Sequence, residues 1–502
     1  MSIAVPTETP RSIAGVAAIT LLFVALVVLL DGPIWLVKLV PTQDGPVHLA
    51  QADLIARFGW GGALQEPAAA FYQWNPRIEP NSAIYLVLAG LIRLTGDALL
   101  ANTLFLSLYG LVWIAASFAV CRAETERPIL PVLLLLPLAF GVFIHWGFYN
   151  YALGVPLFLL FASFWRKLRH RHDAIAFIAT ALFLFALYLT HLTAVVAACL
   201  LLAADGLARA IRTLDRCGIR VAARQLIIDG AWAVAAALPT LLMIVSFLIA
   251  YRNIPGEAAA SDGGLTQILR RIMAATYLFS FTWWEVVALA PLLAALAIAG
   301  LAASRRIRSG DLMWPVFLGF VVLLSLLNLK TGSASLSERL APFSWIAVVM
   351  AIASRQPGPA LVRTLCLAAL AGLIGQTAIR SLALSKLVDH IGKRTRRRSG
   401  QSLGNLCQCR PDRAAEQRPV RMARSPYRAR GPDRGTRRTR CGTVVPAAVD
   451  PIFWLLPAAI CRNAGFHAGD SGLGIRTGRR LIGQIPQIQS RRTAYIDRVI
   501  LR

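Results

Sequence analysis

Apolar runs separated by short polar intervals recur along most of the chain, at about residues 13–31, 98–120, 129–144, 148–165, 174–189, 193–204, 228–250, 286–303, 312–329, 341–353 and 360–380. Several reach the roughly 20 residues that an apolar helix needs to cross a hydrocarbon core. Backbone polar groups in that core must be satisfied within the segment, so runs of this length imply helices. The pattern predicts about eleven spans, the shorter ones paired in tight hairpins. Ile84–Leu94 is apolar as well, but it is short and bracketed by Pro80 and Gly96-Asp97, which places it at the interface. The first run continues into Asp31-Gly-Pro without a small-residue cleavage site and reads as an uncleaved anchor. The expected fold class is all-α: a polytopic transmembrane helix bundle with juxtamembrane helices in its first outer loop.

Composition agrees, since 57% hydrophobic residues and a mean hydropathy of +0.60 exclude an ordinary soluble domain. Charge changes the picture. Residues 393–502 hold 24 Lys+Arg against 6 Asp+Glu, and the preceding part holds 28 against 19. Two thirds of the net +27 therefore sits in the last fifth of the chain. This divides the sequence into a polytopic membrane domain, residues 1–385, and an Arg-rich tail, residues 386–502. From Lys393 onward no helical or strand period is visible, and basic clusters such as Arg394-Thr-Arg-Arg-Arg398 recur. Cys407 and Cys409 lack a second pair at zinc spacing. Out-of-frame translation of GC-rich DNA yields this mixture of Arg, Pro, Gly, Ala and Cys. That reading is preferred to a basic arm, and no nucleic-acid partner is expected. Cys121, Cys199, Cys217 and Cys366 fall in apolar or inner-loop segments and are expected to pack as small hydrophobes.

With the N-terminus inside, the inner segments carry 16 Lys+Arg, including the loops 121–128, 166–173, 205–225 and 304–311. The outer segments carry 9 over nearly twice the length, the asymmetry that the positive-inside rule requires. Counting 84–94 as a full span would place Arg166-Lys-Leu-Arg-His-Arg171 outside. The expected location is a bacterial inner membrane, multi-pass, with a cytoplasmic N-terminus. The long outer loop 31–97 then holds Asp44, His48, Asp53, Trp60, Trp74, Arg77 and Glu79, and 251–282 forms a second substantial outer loop.

Within the first loop, Pro41-Thr-Gln-Asp-Gly-Pro-Val-His48 puts a carboxylate and an imidazole four residues apart, on one face of any helix that starts at Pro46. Asp44 is the candidate catalytic residue, as a general base. Asp-Gly-Pro is equally a turn signal, and Asp44 equally a helix cap. His48 is a candidate for substrate binding or merely orients Asp44. His145, in Ile144-His-Trp-Gly-Phe-Tyr-Asn-Tyr151, sits at an outer turn of interfacial aromatics. Anchoring is the plainer role there, with sugar stacking on Trp146 or Tyr149 as the functional one. His191 occupies another outer turn and equally caps a helix. Glu285, after Trp283-Trp284, reads as solvated at a helix start, and the inner-loop arginines as topology determinants. No P-loop, dinucleotide motif or zinc-protease motif occurs in a suitable context. No ionisable residue falls clearly at the centre of a span, which counts against ion-coupled transport, and Asp229 lies near an inner end.

By layout over residues 10–355 the chain resembles the GT-C class of polytopic glycosyltransferases, which includes protein O-mannosyltransferases and lipid A aminoarabinose transferases. In that class an acidic motif follows the first helix and leads into juxtamembrane helices. Asp44-Gly-Pro-Val-His48 stands at that position, residues 47–58 and 81–94 match the juxtamembrane helices, and Ala98–Val120 the second span. The resemblance implies transfer of a sugar from a polyprenyl-phosphate donor to a glycan, lipid or protein acceptor of the envelope, among membrane lipids. Asp44 would be the base. Arg339, in Ser337-Glu-Arg-Leu-Ala-Pro342, would contact the lipid phosphate, with Arg252 or Lys330 as further cations. Gly45 stands where the family has its second acid, so no metal and no cofactor is expected. The rival reading is a non-catalytic polytopic protein, a lipid-linked glycan transporter or an envelope-assembly scaffold.

Overall fold

The computed structural model describes residues 13–37, 39–59, 77–251, 283–304, 312–326, 330–331, 334–355 and 358–406. These form an all-α bundle, apart from a two-residue antiparallel ladder pairing Lys330 with Ser335 and Thr331 with Ala334. Helix α1 covers Ile13–Trp35, and the first loop carries α2 (Gly45–Phe58) and α3 (Ala83–Thr95). Then follow α4 (Ala98–Glu124), α5 (Ile129–Leu135), α6 (Val142–His145), α7 (Tyr149–Leu168), α8 (Ala174–Thr190), α9 (Leu192–Cys217) and α10 (Ile219–Tyr251). The later helices are α11 (Trp283–Ser304), α12 (Met313–Leu326), α13 (Leu336–Ala353) and α14 (Pro359–Leu406). Five of these helices are long and apolar enough to cross a membrane (α4, α7, α9, α10 and α14), and shorter apolar helices accompany them. The chain is a multi-pass membrane protein.

Local chemistry sets the boundaries. Pro46 lies in the first turn of α2, where its missing N–H costs nothing. Helix α3 stops at Gly96, whose φ of 69° closes the last turn. Asp97 then caps α4 by accepting from the N–H groups of Leu99 and Leu100 at 2.7 and 3.2 Å. Asp173 caps α8 in the same way through Ala176, at 2.8 Å.

Two segments depart from the expected layout. The run 129–144 is not one continuous helix: α5 gives way to a 3-10 turn at Leu136–Leu138, and α6 is a separate single turn. Pro137 has no N–H to return to Leu133, so the α-helix ends before it. Leu130 and Val132 to Leu136 are buried, so this broken segment crosses the bundle enclosed by other helices. At the other extreme, α14 continues to Leu406, past Lys393, where the sequence shows no helical period. The described residues up to Leu387 belong to one compact unit.

Helices α4, α7, α9, α12 and α13 make the core. Phe158 of α7 stacks on Phe317 of α12 and meets Phe343 of α13 edge-on, with centroids 5.6 and 5.0 Å apart. In α7, 67% of the apolar stretch is buried, against 17% in α10. The first is a central helix and the second presents its apolar face to lipid. Helices α4 and α7 run the same way: Phe105 lies 5.4 Å from Tyr149 near their starts, and Glu124 meets Arg166 near their ends. The bundle therefore has an Asp44 end and an Arg169 end.

Candidate active site

The loop before α2 docks on the turn between α6 and α7. The Gln43 N–H donates to the His145 carbonyl at 2.9 Å, and the Asp44 N–H to the Trp146 carbonyl at 3.0 Å. Two glycines make this approach possible. Gly147 has a φ of 78°, and a Cβ on it would run into the backbone of Asp44 and Gly45. A Cβ on Gly45 would fall on Thr42 Oγ1 and the Tyr149 hydroxyl, which are themselves hydrogen-bonded at 3.1 Å. A larger residue at position 45 would therefore have to displace the Thr42 and Tyr149 side chains.

Asp44 stands at the N-cap of α2, and its backbone carbonyl accepts from Val47 and His48, each at 3.1 Å. Its side chain makes no capping hydrogen bond. Of the two roles open in the sequence, the side-chain cap is not realised. The carboxyl group is half-buried, and burial pushes its pKa above the ordinary 3.8. Tyr85 of α3 feels the charge: burial and the nearby Asp44 carboxylate raise its pKa to about 12.

His48 does not bond Asp44. Its Nδ1 pairs with the Tyr85 hydroxyl at 2.8 Å, and its ring lies 5.5 Å from Tyr85 and 6.0 Å from Tyr149. Burial lowers the His48 pKa below 6.5, partly offset by a hydrogen bond with the Gly147 backbone. The imidazole is thus neutral near pH 7, which sets it apart from the cations of the site.

Arg339 enters from α13. The Tyr151 hydroxyl donates to its carbonyl at 2.6 Å, and its guanidinium carbon lies 5.8 Å from the Phe148 ring centroid. Its Nε is buried without a hydrogen-bond partner among the described residues. His191 is close enough to feel the Arg339 charge, packs edge-on against Tyr151 at 5.2 Å and caps α9 through Thr193 at 3.0 Å. The segment 143–151 thus carries Asp44 on its backbone and Arg339 against its aromatic rings. His145 is placed differently from Asp44, His48 and Arg339. Its ring is buried near Arg380 and the Phe140 backbone, and only its carbonyl meets the acidic loop. Trp60, Trp74 and Arg252 lie outside the described residues.

Three contributors escape the sequence reading. Asn150 closes the first loop, accepting from Ile84 N–H at 3.1 Å and donating to the Asn81 carbonyl at 2.7 Å. Tyr85 holds His48. Glu285 is not solvated: it is fully buried and pairs with Arg380 of α14 at 2.8 Å. The Arg380 guanidinium also packs 5.9 Å from the Phe140 ring. An Arg within a long apolar run was the available signal for that pair.

No protein-family profile and no curated protein matches the chain. Among solved structures, ArnT from Cupriavidus metallidurans is similar in two states. The apo state gives a TM-score of 0.44, and the state bound to undecaprenyl phosphate gives 0.46. In both cases identity is 13%, covering 73% of this chain and 77% of that one. At these values the likeness gives no residue a role.

Proposed function

We propose that this chain is a membrane glycosyltransferase that moves a sugar from a polyprenyl-phosphate donor to an envelope acceptor at the outer face of a bacterial inner membrane. One observation carries the reading. The Asp44 carboxylate is held at a rigid backbone junction, half-buried and uncommitted to capping, while the Arg339 guanidinium flanks the same aromatic turn. In the reaction an acceptor oxygen attacks the anomeric carbon and its proton passes to Asp44. The bond from that carbon to the phosphate oxygen breaks, and polyprenyl phosphate leaves. Arg339 offsets the charge that gathers on the departing phosphate. The first-loop layout supports the donor class, and the domain 1–385 holds all the machinery. His48, tied to Tyr85, shapes the sugar side of the site. A transporter or scaffold has no use for the carboxylate. The buried Glu285–Arg380 pair does not favour one, because Glu285 lies in the first turn of its helix and the pair neutralises itself.

The deciding experiment is glycan analysis of the envelope in a deletion strain complemented with wild type or Asp44→Asn. Rescue by wild type alone is expected. Equal rescue by both would replace the transferase with the non-catalytic reading.

A further inference from the structure

Three consecutive residues at the start of α7 each hold a different part of the site. The Tyr149 hydroxyl pairs with Thr42 Oγ1 at 3.1 Å, directly under Gly45 of the acidic loop. Asn150 accepts from the Ile84 N–H at 3.1 Å and donates to the Asn81 carbonyl at 2.7 Å, which fixes the start of α3. Asn81 is the one non-glycine residue with a positive φ, 66°, among the described residues, so this bond also secures a turn in sparsely populated backbone space. The Tyr151 hydroxyl donates to the Arg339 carbonyl at 2.6 Å, near the start of α13.

Helix geometry separates these contacts. At roughly 3.6 residues per turn, successive side chains point about 100° apart, so Tyr149 and Tyr151 leave α7 on nearly opposite sides. Their neighbours agree. The Tyr149 ring lies 5.4 Å from Phe105 and 6.0 Å from His48, among α4 and α2. The Tyr151 ring lies 4.5 Å from Phe143 and 5.2 Å from His191, on the side from which Arg339 enters. All three side chains of the triplet are buried. A hydroxyl in such a packed place makes a bond that water does not readily replace, so losing it loosens the segment it holds.

We propose that the first turn of α7 is the positioning element of the site: Tyr149 sets the Asp44 loop on one side, and Tyr151 sets the Arg339 segment on the other. Acid and cation are thereby placed independently, each through a single hydroxyl. Asn150, between them, holds α3 and with it the Tyr85–His48 pair. The kinetic meaning of the two tyrosines rests on the transferase reading. The separation of the two contacts is a property of the fold and is tested apart from it.

The test compares Tyr149→Phe and Tyr151→Phe in the full-length protein, since each removes one oxygen and keeps the ring. Tyr149→Phe is expected to lower kcat at saturating polyprenyl-phosphate sugar by roughly three- to tenfold, the scale of one neutral hydrogen bond. Its Kd for undecaprenyl phosphate, the probe with no sugar attached, should stay at the wild-type value. Tyr151→Phe is expected to raise that Kd by a similar factor and to leave kcat unchanged. Thr42→Val removes the first bond from its other partner and should reproduce Tyr149→Phe. Tyr151→Phe added to Arg339→Gln should weaken the probe no further, because the group it positions is gone. Hydrogen exchange reads the same division without catalysis. The Gln43 and Asp44 amides should exchange faster in Tyr149→Phe alone, and the Arg339 to Phe343 segment in Tyr151→Phe alone. Parallel changes of kcat and Kd in both variants, or exchange that quickens on both sides in either one, overturn the proposal. If wild type neither binds the probe nor transfers sugar, the transferase reading falls and the exchange pattern alone decides.

Discussion

The two ends of the bundle treat charge in opposite ways. At the Arg169 end, buried carboxylates are matched by cations. Glu124 meets Arg166 at 3.5 Å, and Asp205 meets Arg169 at 3.1 Å, Arg209 at 3.3 Å and the Trp165 indole N–H at 3.1 Å. Asp229 meets Arg209 at 3.0 Å, His172 at 3.2 Å and Gln225 at 2.9 Å. These contacts lock α4, α7, α9 and α10 together, so arginines that the sequence suggests as topology determinants hold the helices. At the Asp44 end, Asp44 and Arg339 are positioned by their backbones: the Asp44 side chain makes no capping bond, and the Arg339 guanidinium rests on the Phe148 ring. Ion pairs that join helices are scaffolding. A carboxyl group and a guanidinium held on one turn without an ion pair between helices mark where a ligand can complete the set.

The largest expected effect tests this contrast by crossing the two ends. Asp44→Asn should lower transfer from a polyprenyl-phosphate sugar donor by about 10²–10⁴-fold, the range of a positioned general base, with little change in thermal unfolding. Asp205→Leu should do the reverse. It strands the Arg169 guanidinium, 14% exposed, and leaves Arg209 with Asp229 alone, at a cost of about 3–5 kcal/mol in stability. Melting in detergent and transfer assays on the same preparations separate the two. A stability loss in Asp44→Asn as large as that in Asp205→Leu would erase the distinction.

A second break is steric. Gly147→Ala places a methyl group into the Asp44 and Gly45 backbone at a positive φ, a strain of about 1–3 kcal/mol. The loop should lift from the turn, and transfer should fall more than tenfold while the Arg169 end keeps its protection from hydrogen exchange. Gly45→Asp adds a second acid beside Asp44 but drives it into Thr42 and Tyr149. It should lose activity in transfer assays and gain no dependence on divalent metal.

How much of this was legible in the sequence follows from which forces are local. The helices follow from apolar runs and their caps, so α1 to α4 fall within a few residues of the expected bounds. The run 129–144 misleads about continuity because apolar content is the same for an unbroken lipid-facing helix and a broken segment buried in protein; only Pro137 and Gly141 hint at the break. Asp44 stands out through its place between α1 and α2, and its lack of a side-chain cap bond is visible only in three dimensions. Arg339 and Asp44 lie 295 positions apart in the chain, and the turn that joins them acts through carbonyls and aromatic faces that no spacing encodes. Glu285 looked solvated because its partner, Arg380, is 95 positions away.

Arg339 sharpens the contrast more gently. If it serves the donor phosphate, Arg339→Gln should raise the donor KM by roughly tenfold, the scale of one hydrogen bond to a charged group. Arg339→Lys should recover part of the loss, since a point charge persists without the planar donor fork. Steady-state kinetics at varied donor concentration check both. An unchanged donor KM in Arg339→Gln would remove the residue from the site and leave only its backbone role with Tyr151.

The smallest effect is in pH, where Asp44 and His48 pull in opposite directions. The His48 pKa is lowered in the folded protein, so below 6.5 the unfolded chain takes up a proton that the folded one refuses. Stability falls as pH drops through that window and levels off below the folded value. The Asp44 pKa is raised, so above 3.8 the unfolded chain releases a proton that the folded one keeps. Its contribution is greatest in acid and is lost as pH rises through the raised folded value. Asp44→Asn removes only the second slope. The variant should therefore melt slightly above wild type near pH 7, and the gap should close as pH falls through the raised Asp44 value. Transfer by wild type should be lost over that same interval, because the base must be ionised to accept a proton. Melting curves and initial rates between pH 4 and 8 read both, and inflections that fail to coincide would show that the group limiting transfer is not Asp44.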